Sequence, residues 1–331
     1  MVTNLAVQSF GREYEYRRAI LTVLSFYVYT SAPVMQTRVI LFTDRPEYFK
    51  PFFGGLPIEY VLLTEDKIKK MRGGINFLHR MKIALIEEAL EKTEDALIYT
   101  DSDSFFIGDP LPLVKQLSPK KSFIHLWEYE MESMREAELP AGQTARAFVR
   151  LIESSVFELA DGSEVRYPLN SSSWNAGSMM LHPYHLQFIP DVYKLTDQFY
   201  PPTLSHASEQ YAFSLILQQR TEIAPCDSVI YHYWYRTKKQ IIDLFLAERL
   251  TANWAEKTLA QKLKEVKGWC KKMPDHFTHH VLTIKDNAIQ LFNKHQYLNG
   301  YKYALKAVCK NPLDVHFLRD VLYHTKKGLK A

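Results

Sequence analysis

The amino-acid sequence predicts an α/β fold with a mostly parallel central sheet flanked by helices. Short apolar runs rich in Val, Ile and Leu alternate with longer helical segments over the first hundred residues, which is the pattern of βαβ units. One such run, Ala96 to Tyr99, ends in Asp101-Ser102-Asp103. Open α/β sheets bind ligands at the carboxyl ends of their strands, so we expect the functional site there.

The first half of the chain alternates strand and helix. A turn containing Gly11 follows the first strand, and Thr64 is a candidate N-cap. No Gly-x-Gly-x-x-Gly or Walker loop occurs, so dinucleotide binding and P-loop ATP binding are not supported. The predicted strands are Asn4 to Ser9, Thr37 to Thr43, Pro57 to Leu63 and Ala96 to Tyr99, and the predicted helices are Glu13 to Tyr29 and Phe77 to Leu90.

The second half is less regular. Residues 128 to 170 show no clear period, as expected of an insertion or a lid over a site. We expect Pro201 and Pro202 to end a helix, and Ser208 to cap the next one. The predicted strands are Ser122 to Trp127, the run that ends at Leu181, and the run from Val229 that ends at His232; the predicted helices are Leu111 to Leu117, Gln187 to Phe199 and Glu209 to Gln219.

Length and composition limit the class of protein. With 331 residues, 47% of them hydrophobic, the chain can form one large α/β domain with an appendage, or two domains. Its three cysteines have no metal-site spacing and suggest a reducing compartment. The N-terminus lacks a signal-peptide layout, and Ala19 to Met35 is too short and too polar to span a bilayer. We therefore expect a cytoplasmic protein with a buried helix at that segment.

Charge is uneven along the chain. From Lys238 onward there are 18 Lys and Arg against 8 Asp and Glu, whereas the whole chain has a net charge of +4. This basic tail could meet anionic lipid head groups at the inner face of a membrane, or it could be a solvated helix face. No nucleic-acid partner is expected. The densest basic patch comprises Lys262, Lys264, Lys267, Lys271 and Lys272.

Asp101 and Asp103 carry the clearest chemical signal. In an extended chain they point the same way, and their repulsion is relieved by a cation between them. Mg²⁺-like ions take one or two carboxylates together with substrate phosphates, which suggests a diphosphate-bearing substrate. An ordinary polar turn and an aspartyl-nucleophile phosphatase remain alternatives. A calcium EF-hand loop is excluded, because Phe106 stands where it requires Gly and Pro112 where it requires Glu.

Three further segments are candidates for the same site. Asn175-Ala176-Gly177 precedes an apolar run, and its small residues allow close approach of a ligand, although a glycine in a strand is also typical of a bulge. Glu209 opens a helix, where the dipole favours an acid whatever its function. His232 ends a strand and precedes Arg236, Lys238 and Lys239, a combination that suits metal and phosphate binding.

Together these segments resemble the nucleotide-sugar glycosyltransferases of GT-A fold, closest in layout to family 8, the glycogenin and lipopolysaccharide galactosyltransferase type. The resemblance covers roughly residues 4 to 240. It depends on four pieces in the family's order: Asp101-Ser102-Asp103, Asn175-Ala176-Gly177, Glu209-Gln210, and His232 followed by lysines. It implies a GT-A catalytic domain over residues 1–240, with a nucleotide-binding half at 1–110 and an acceptor half at 111–240.

The resemblance also implies roles for individual residues. Asp101, Asp103 and His232 would hold Mn²⁺ or Mg²⁺ on the diphosphate of a nucleotide sugar, with a UDP-sugar favoured. Glu209 and Gln210 would lie beside the anomeric carbon as catalytic residues of a retaining hexosyltransferase. The acceptor would be a glycan or a lipid-linked sugar in surface glycan synthesis. Donor contacts would come from Gly11, Tyr14, Arg80, Lys82, Asp101, Ser102, Asn175, Ala176, Gly177 and Lys238.

Residues 241–331 are predicted to form a basic helical C-terminal region. Small residues at Ala288, Gly300 and Ala307, followed by Pro312, resemble one tetratricopeptide-like helical hairpin. One such unit cannot form a solenoid, so we expect it to pack on the catalytic domain or on a second copy of the chain. A non-catalytic scaffold of the same fold is the alternative that involves no enzyme activity.

Overall fold

A computed structural model describes residues 2–137 and 142–328. The strands are β1 (Thr3–Ser9), β2 (Thr37–Thr43), β3 (Ile58–Leu62), β4 (Leu97–Thr100), β5 (Ser104–Phe106), β6 (Lys121–Ile124), β7 (Trp127–Glu130), β8 (Phe157–Glu158), β9 (Glu164–Val165), β10 (Ser172–Trp174), β11 (Ser178–Leu181), β12 (Glu222–Pro225) and β13 (Ile230–His232). The helices are α1 (Glu13–Tyr29), α2 (Pro46–Phe53), α3 (Glu65–Arg72), α4 (Arg80–Glu91), α5 (Leu111–Val114), α6 (Gly142–Ser154), α7 (Ile189–Thr203), α8 (Ser208–Arg220), α9 (Arg236–Arg249), α10 (Ala252–Ala255), α11 (Leu259–His279), α12 (Val281–Asn293), α13 (Tyr297–Lys310) and α14 (Val315–Gly328).

The central sheet contains seven strands in the order β12-β6-β11-β4-β1-β2-β3. β11 runs antiparallel to both of its neighbours, and the other pairs are parallel. The expected α/β class, with a mostly parallel sheet and a helical C-terminal region, is confirmed. Because β1 and β4 are adjacent and parallel, the turn after Ser9 and the turn at Asp101 lie at the same edge of the sheet.

Alternate residues of the buried strands face two different cores. Leu5 and Val7 of β1 pack with α1, α9 and α11 on one face, whereas Ala6 packs with α4, α7 and α8 on the other. This period of two is the expected signature of strands that are covered by helices on both faces. The sheet is therefore held rigidly between two helical layers, and its carboxyl edge is free to carry side chains.

Several predicted boundaries are confirmed and two local expectations are wrong. α1 and β2 begin and end where the sequence predicted, and Thr64 caps α3 by accepting from the Lys67 amide at 3.1 Å. However, α7 continues through both prolines to Thr203, because the fixed φ of proline is compatible with a helical turn. Ser208 is the first residue of α8 rather than its cap, and its hydroxyl donates to the Ser205 carbonyl at 2.8 Å.

The first helices of the predicted C-terminal region pack in the same core as the central sheet. The expected boundary at residue 240 falls within α9, whose apolar side chains share a core cluster with β1, and α11 contributes Cys270 and Phe277 to the same cluster. α12, α13 and α14 form a separate small core. At Gly300 a β-carbon would lie 2.6 Å from Cδ1 of Phe292, so the close crossing of α12 and α13 requires glycine there.

α1 was predicted to be a buried helix and not a membrane span, and Lys262 of α11 was predicted to lie in a basic patch. Ala19 to Tyr27 of α1 are buried, which confirms the buried helix for that part of the segment, whereas α1 ends at Tyr29 and Met35 is 91% exposed. The described residues contain no helix with the length and apolarity to cross a bilayer. Lys262, by contrast, does not belong to an exposed patch. Its side chain is buried and its Nζ donates to the Pro51 carbonyl at 2.8 Å, because α11 packs against the end of α2 at this point.

Candidate active site

The carboxyl edge of β1 and β4 borders a cavity of about 440 Å³. Gly11 and Tyr14 line it on the β1 side, and Asp101, Ser102 and Asp103 line it on the β4 side. The two turns that the sequence predicted at this edge therefore share one cavity. Its wall is completed by Gln8, Ser9, Phe10, Arg12, Glu15, Leu78, His79 and Lys239.

The wall of this cavity is shaped by hydrogen bonds around Gly11. Gly11 has a φ of +85°, which disfavours any side chain, and its amide donates to Asp44 Oδ2 at 3.1 Å. Ser102 Oγ donates to Glu15 Oε2 at 2.8 Å. Buried Ser9 Oγ has no hydrogen-bond partner among the described residues. The bond between Ser102 and Glu15 ties the loop after β4 to α1 on this side of the cavity.

Asp101, Asp103 and His232 form the one group of potential metal ligands found within the described part of the chain. One ligand atom from each residue lies within 4.8 Å of the others. β13 pairs antiparallel with β5, and this register sets His232 opposite Ser104, next to Asp103. The loop between β4 and β5 carries both aspartates, so secondary structure fixes all three residues.

The hydrogen bonds of Asn175 determine which ring nitrogen of His232 faces the aspartates. Asn175 Nδ2 donates to Glu128 Oε1 at 2.9 Å, and its Oδ1 accepts from the Gly177 amide at 3.1 Å. Oδ1 also lies 2.9 Å from His232 Nδ1, so Nδ1 carries the proton in this arrangement. The other ring nitrogen, Nε2, lies 3.2 Å from Asp103 Oδ1. A histidine that donates one ring N–H to a fixed acceptor and turns its other nitrogen toward a carboxylate has the usual arrangement of a metal-binding histidine.

Two lysines lie against the aspartates. Lys82 Nζ is 3.2 Å from Asp101 Oδ2, and Lys239 Nζ is 2.5 Å from Asp103 Oδ2. Burial would raise the pKa of Asp103, but His232 and Lys239 outweigh burial and hold that pKa well below its ordinary range. Asp103 is therefore ionised at neutral pH although its residue is only 6% exposed, whereas the sequence suggested a position at a solvent-facing edge. Ionised carboxylates with an imidazole suit Mn²⁺ or Mg²⁺.

The side chains of Glu209 and Gln210, at the start of α8, contact different partners. Glu209 Oε1 lies 3.2 Å from Lys82 Nζ, while its buried Oε2 has no hydrogen-bond partner among the described residues. Burial would lower the pKa of Lys82, but Asp101 and Glu209 together raise it above the ordinary value. Gln210 Oε1 accepts from the Ala176 amide at 3.3 Å. Lys82 thus joins the start of α8 to the aspartate loop.

Glu128 belongs to the same network and was not among the residues predicted from the sequence. Its Oε2 accepts from Gln210 Nε2 at 2.8 Å, and its Oε1 accepts from Asn175 Nδ2. Through Asn175 it supports the ring of His232. It follows the predicted strand that ends at Trp127, and an acid directly after a strand was the signal available. The absence of a clear period in residues 128 to 170 concealed it.

Six of the ten candidate donor contacts do not line the cavity. Lys82, Asn175, Ala176 and Gly177 belong to the hydrogen-bond network described above, whereas Arg80 and Lys238 have other partners. Arg80 forms an ion pair with Asp197 of α7 at 2.7 Å, and its guanidinium lies 4.4 Å from the ring centre of Tyr193. Lys238 Nζ donates to Tyr231 Oη at 2.9 Å. The neighbouring Lys239 is the residue that lines the cavity.

Comparisons with known proteins give a weak likeness. No family model and no curated protein matches this sequence. Mouse xyloside xylosyltransferase 1, in its apo form, is 13% identical, with 68% of this chain and 86% of that chain covered and a TM-score of 0.45. The glycosyltransferase GlyE of Streptococcus pneumoniae TIGR4 is 13% identical, with 82% of this chain and 64% of that chain covered and a TM-score of 0.46. A likeness at this level indicates no function, so the function of this chain is inferred from the geometry of the site.

Proposed function

We propose that this chain is a metal-dependent glycosyltransferase of GT-A type that moves a sugar from a nucleoside diphosphate sugar to a glycan or lipid-linked acceptor. One observation carries the proposal. Asp101 and Asp103 line a cavity at two adjacent strand ends, and His232 completes with them a group of three potential metal ligands. A cavity with this donor set fits a nucleoside diphosphate better than a neutral metabolite.

The residues of the site divide into two groups by the charge that each would stabilise during transfer. When a divalent cation is bound, it neutralises the negative charge that develops on the departing nucleoside diphosphate. Asp101, Asp103 and His232 would hold Mn²⁺ or Mg²⁺, and Lys239 is close enough to the same cavity to contact a phosphate oxygen. Gly11 and Tyr14 border the space that remains for the nucleoside, with UDP favoured.

The second group consists of polar and acidic side chains that would stabilise positive charge. Positive charge develops at the anomeric carbon as the sugar leaves, so carboxylate and amide oxygens stabilise the transition state there. Gln210, Glu209 and Glu128 supply such oxygens from the start of α8 and from β7. We propose that they face the sugar, and that transfer retains the anomeric configuration.

The aspartyl-nucleophile phosphatase is less consistent with the contacts of Asp101. A nucleophilic carboxylate needs an oxygen that is free to attack phosphorus. Here Oδ1 accepts from Tyr99 Oη at 2.5 Å and Oδ2 lies 3.2 Å from Lys82 Nζ. The site therefore favours a supported metal ligand at this position.

A panel of UDP- and GDP-sugars tests the proposal. Each donor is added with Mn²⁺ or with EDTA, and both the thermal unfolding midpoint and the slow hydrolysis of the donor are measured. We expect at least one donor to raise the midpoint and to be hydrolysed only with Mn²⁺, and Asp101→Asn to abolish both effects. Stabilisation without hydrolysis would indicate a non-catalytic scaffold, and phosphate release without a nucleotide sugar would indicate the phosphatase.

A further inference from the structure

A second cavity lies between α9 and α11, away from the site described above. Its volume is about 940 Å³, and none of the residues of the proposed active site lines it. The rings of Phe245 and Trp269 meet edge to face at 5.6 Å on its floor, and Leu244, with 52% of its surface exposed, stands at its edge. The apolar lining residues are Ile241, Leu244, Phe245, Trp269 and Met273.

This cavity continues into two others along the same helices. Lys272, His276 and His280 line both the first cavity and a second of about 890 Å³. His279 and Lys310 line both the second and a third of about 530 Å³, which reaches Leu305 and Lys306 of α13. Shared lining residues make the three cavities one continuous band across α9, α11 and α13, which we call the tail groove.

The rim of the tail groove carries an excess of positive charge. Within the part of the chain that the structure describes, Lys264, Lys271 and Lys272 form no ion pair. Of the acids that line the groove, Glu265 is paired with Lys257 at 2.5 Å and Glu248 with Arg249 at 3.3 Å, and Asp275 lies 3.0 Å from His279. The pKa of His280 is lowered, first by burial and then by His276 and Lys310. The groove is therefore an electropositive surface around an apolar floor.

We propose that the tail groove docks the protein on a membrane surface that carries anionic phospholipid head groups. Exposed leucines next to unpaired lysines are the features by which peripheral proteins bind such surfaces, with the leucines at the acyl boundary and the lysines on phosphate. A single acidic helix from another protein would satisfy the lysines of the groove. It would leave Leu298 of α13, which is 82% exposed and lies outside the lining of the groove, uncovered, whereas a lipid surface extends beyond the groove to meet it.

This inference adds a docking partner to the proposed transferase. It depends on the proposed function only for its biological purpose, which is to bring the enzyme to a lipid-borne acceptor. Binding to vesicles needs no donor, metal or acceptor. A failure of docking and a failure of the transferase proposal are therefore observed in separate experiments.

Cosedimentation of the full chain with vesicles tests the docking surface. Vesicles of phosphatidylcholine alone are compared with vesicles that also contain phosphatidylglycerol, at low and high salt. We expect the parent to bind only the anionic vesicles and to lose affinity at high salt. The double variant Lys271→Glu/Lys272→Glu is expected to bind at least about tenfold more weakly, and Leu244→Ser to bind more weakly at both salt concentrations.

Matched control variants lie outside the groove. Lys69→Glu/Lys70→Glu reverses two adjacent exposed lysines on α3, and Leu62→Ser replaces a leucine of β3 that is as exposed as Leu244. We expect both controls to bind anionic vesicles like the parent. Equal binding by the groove variants and the parent would overturn the proposal. Retention of the parent on polyglutamate but not on anionic vesicles would overturn it in favour of an acidic protein partner.

Discussion

The imidazole ring of His232 lies directly against the backbone of Gly177. A β-carbon on residue 177 would be 1.9 Å from Cε1 of His232, so no other residue fits without moving the ring. We therefore expect Gly177→Ala to displace Nε2 from Asp103 and to weaken Mn²⁺ binding by about ten- to a hundredfold, as loss of support for a metal ligand typically does. Isothermal titration with Mn²⁺ and UDP measures the effect.

Gly268→Ala is the matched control for this substitution. Gly268 lies inside α11, and a β-carbon there would meet no atom within 4 Å. It should bind Mn²⁺ and UDP like the parent and be slightly more stable, since alanine favours a helix. Unchanged Mn²⁺ affinity in Gly177→Ala would contradict the role assigned to His232.

Lys82→Met should destabilise the fold as well as the site. The substitution leaves Glu209, which is buried, without its cation, and an unpaired buried charge costs about 3 kcal/mol or more. We expect the double variant Lys82→Met/Glu209→Gln to recover part of that loss. Urea unfolding of both variants measures it. A single variant as stable as the parent would show that Lys82 does not compensate the buried acid.

Glu128→Gln should reduce transfer with little effect on donor binding. The new amide cannot accept from both Asn175 Nδ2 and Gln210 Nε2, so the side chains around the sugar side of the site would reorient. We expect a fall in kcat of about tenfold or more with a similar affinity for the nucleotide. Equal losses in Glu130→Gln, an exposed acid on the same strand, would indicate a general effect of charge instead.

Acid should destabilise the protein partly through His185. Burial lowers the pKa of His185 to about 4, and its Nδ1 accepts from the His182 amide at 3.3 Å. The neutral ring therefore stabilises the fold fully above pH 6.5, and this contribution is lost as the pH falls through about 4. We expect His185→Gln to lose less unfolding free energy than the parent between pH 7 and 4, by up to about 3 kcal/mol. Parallel losses in the two proteins would contradict this.

The sequence predicted the elements whose patterns are local. The strand before Asp101 and the helix Glu13–Tyr29 follow from apolar runs and turn residues, and Asp101, Asp103 and His232 were candidates because each comes directly after or ends a predicted strand. That these three residues meet depends on the pairing of β5 with β13. Such pairing joins residues that are far apart in the chain, so local patterns do not predict it. The expectation that these three residues meet came from the resemblance to a known family.

The remaining differences depend on the rotation of helices. Lys238 and Lys239 are adjacent, and only the orientation of α9 places Lys239 at the cavity and Lys238 on Tyr231. Lys262 appeared to belong to an exposed basic patch because its neighbours are charged, but α11 buries that side against Pro51. The charges in a sequence do not show which face of a helix will pack against the core, because that depends on tertiary contacts.

Electron paramagnetic resonance of Mn²⁺ tests the central claim most directly. Mn²⁺ is titrated into the parent and into Asp103→Asn, with UDP present, and the signal of free Mn²⁺ is followed. We predict about one tightly bound Mn²⁺ per parent chain and at least a tenfold weaker affinity in the variant, because Asp103 supplies a ligand oxygen. Equal binding by the two proteins, with Asp103→Asn folded, would contradict a metal centre at Asp101, Asp103 and His232.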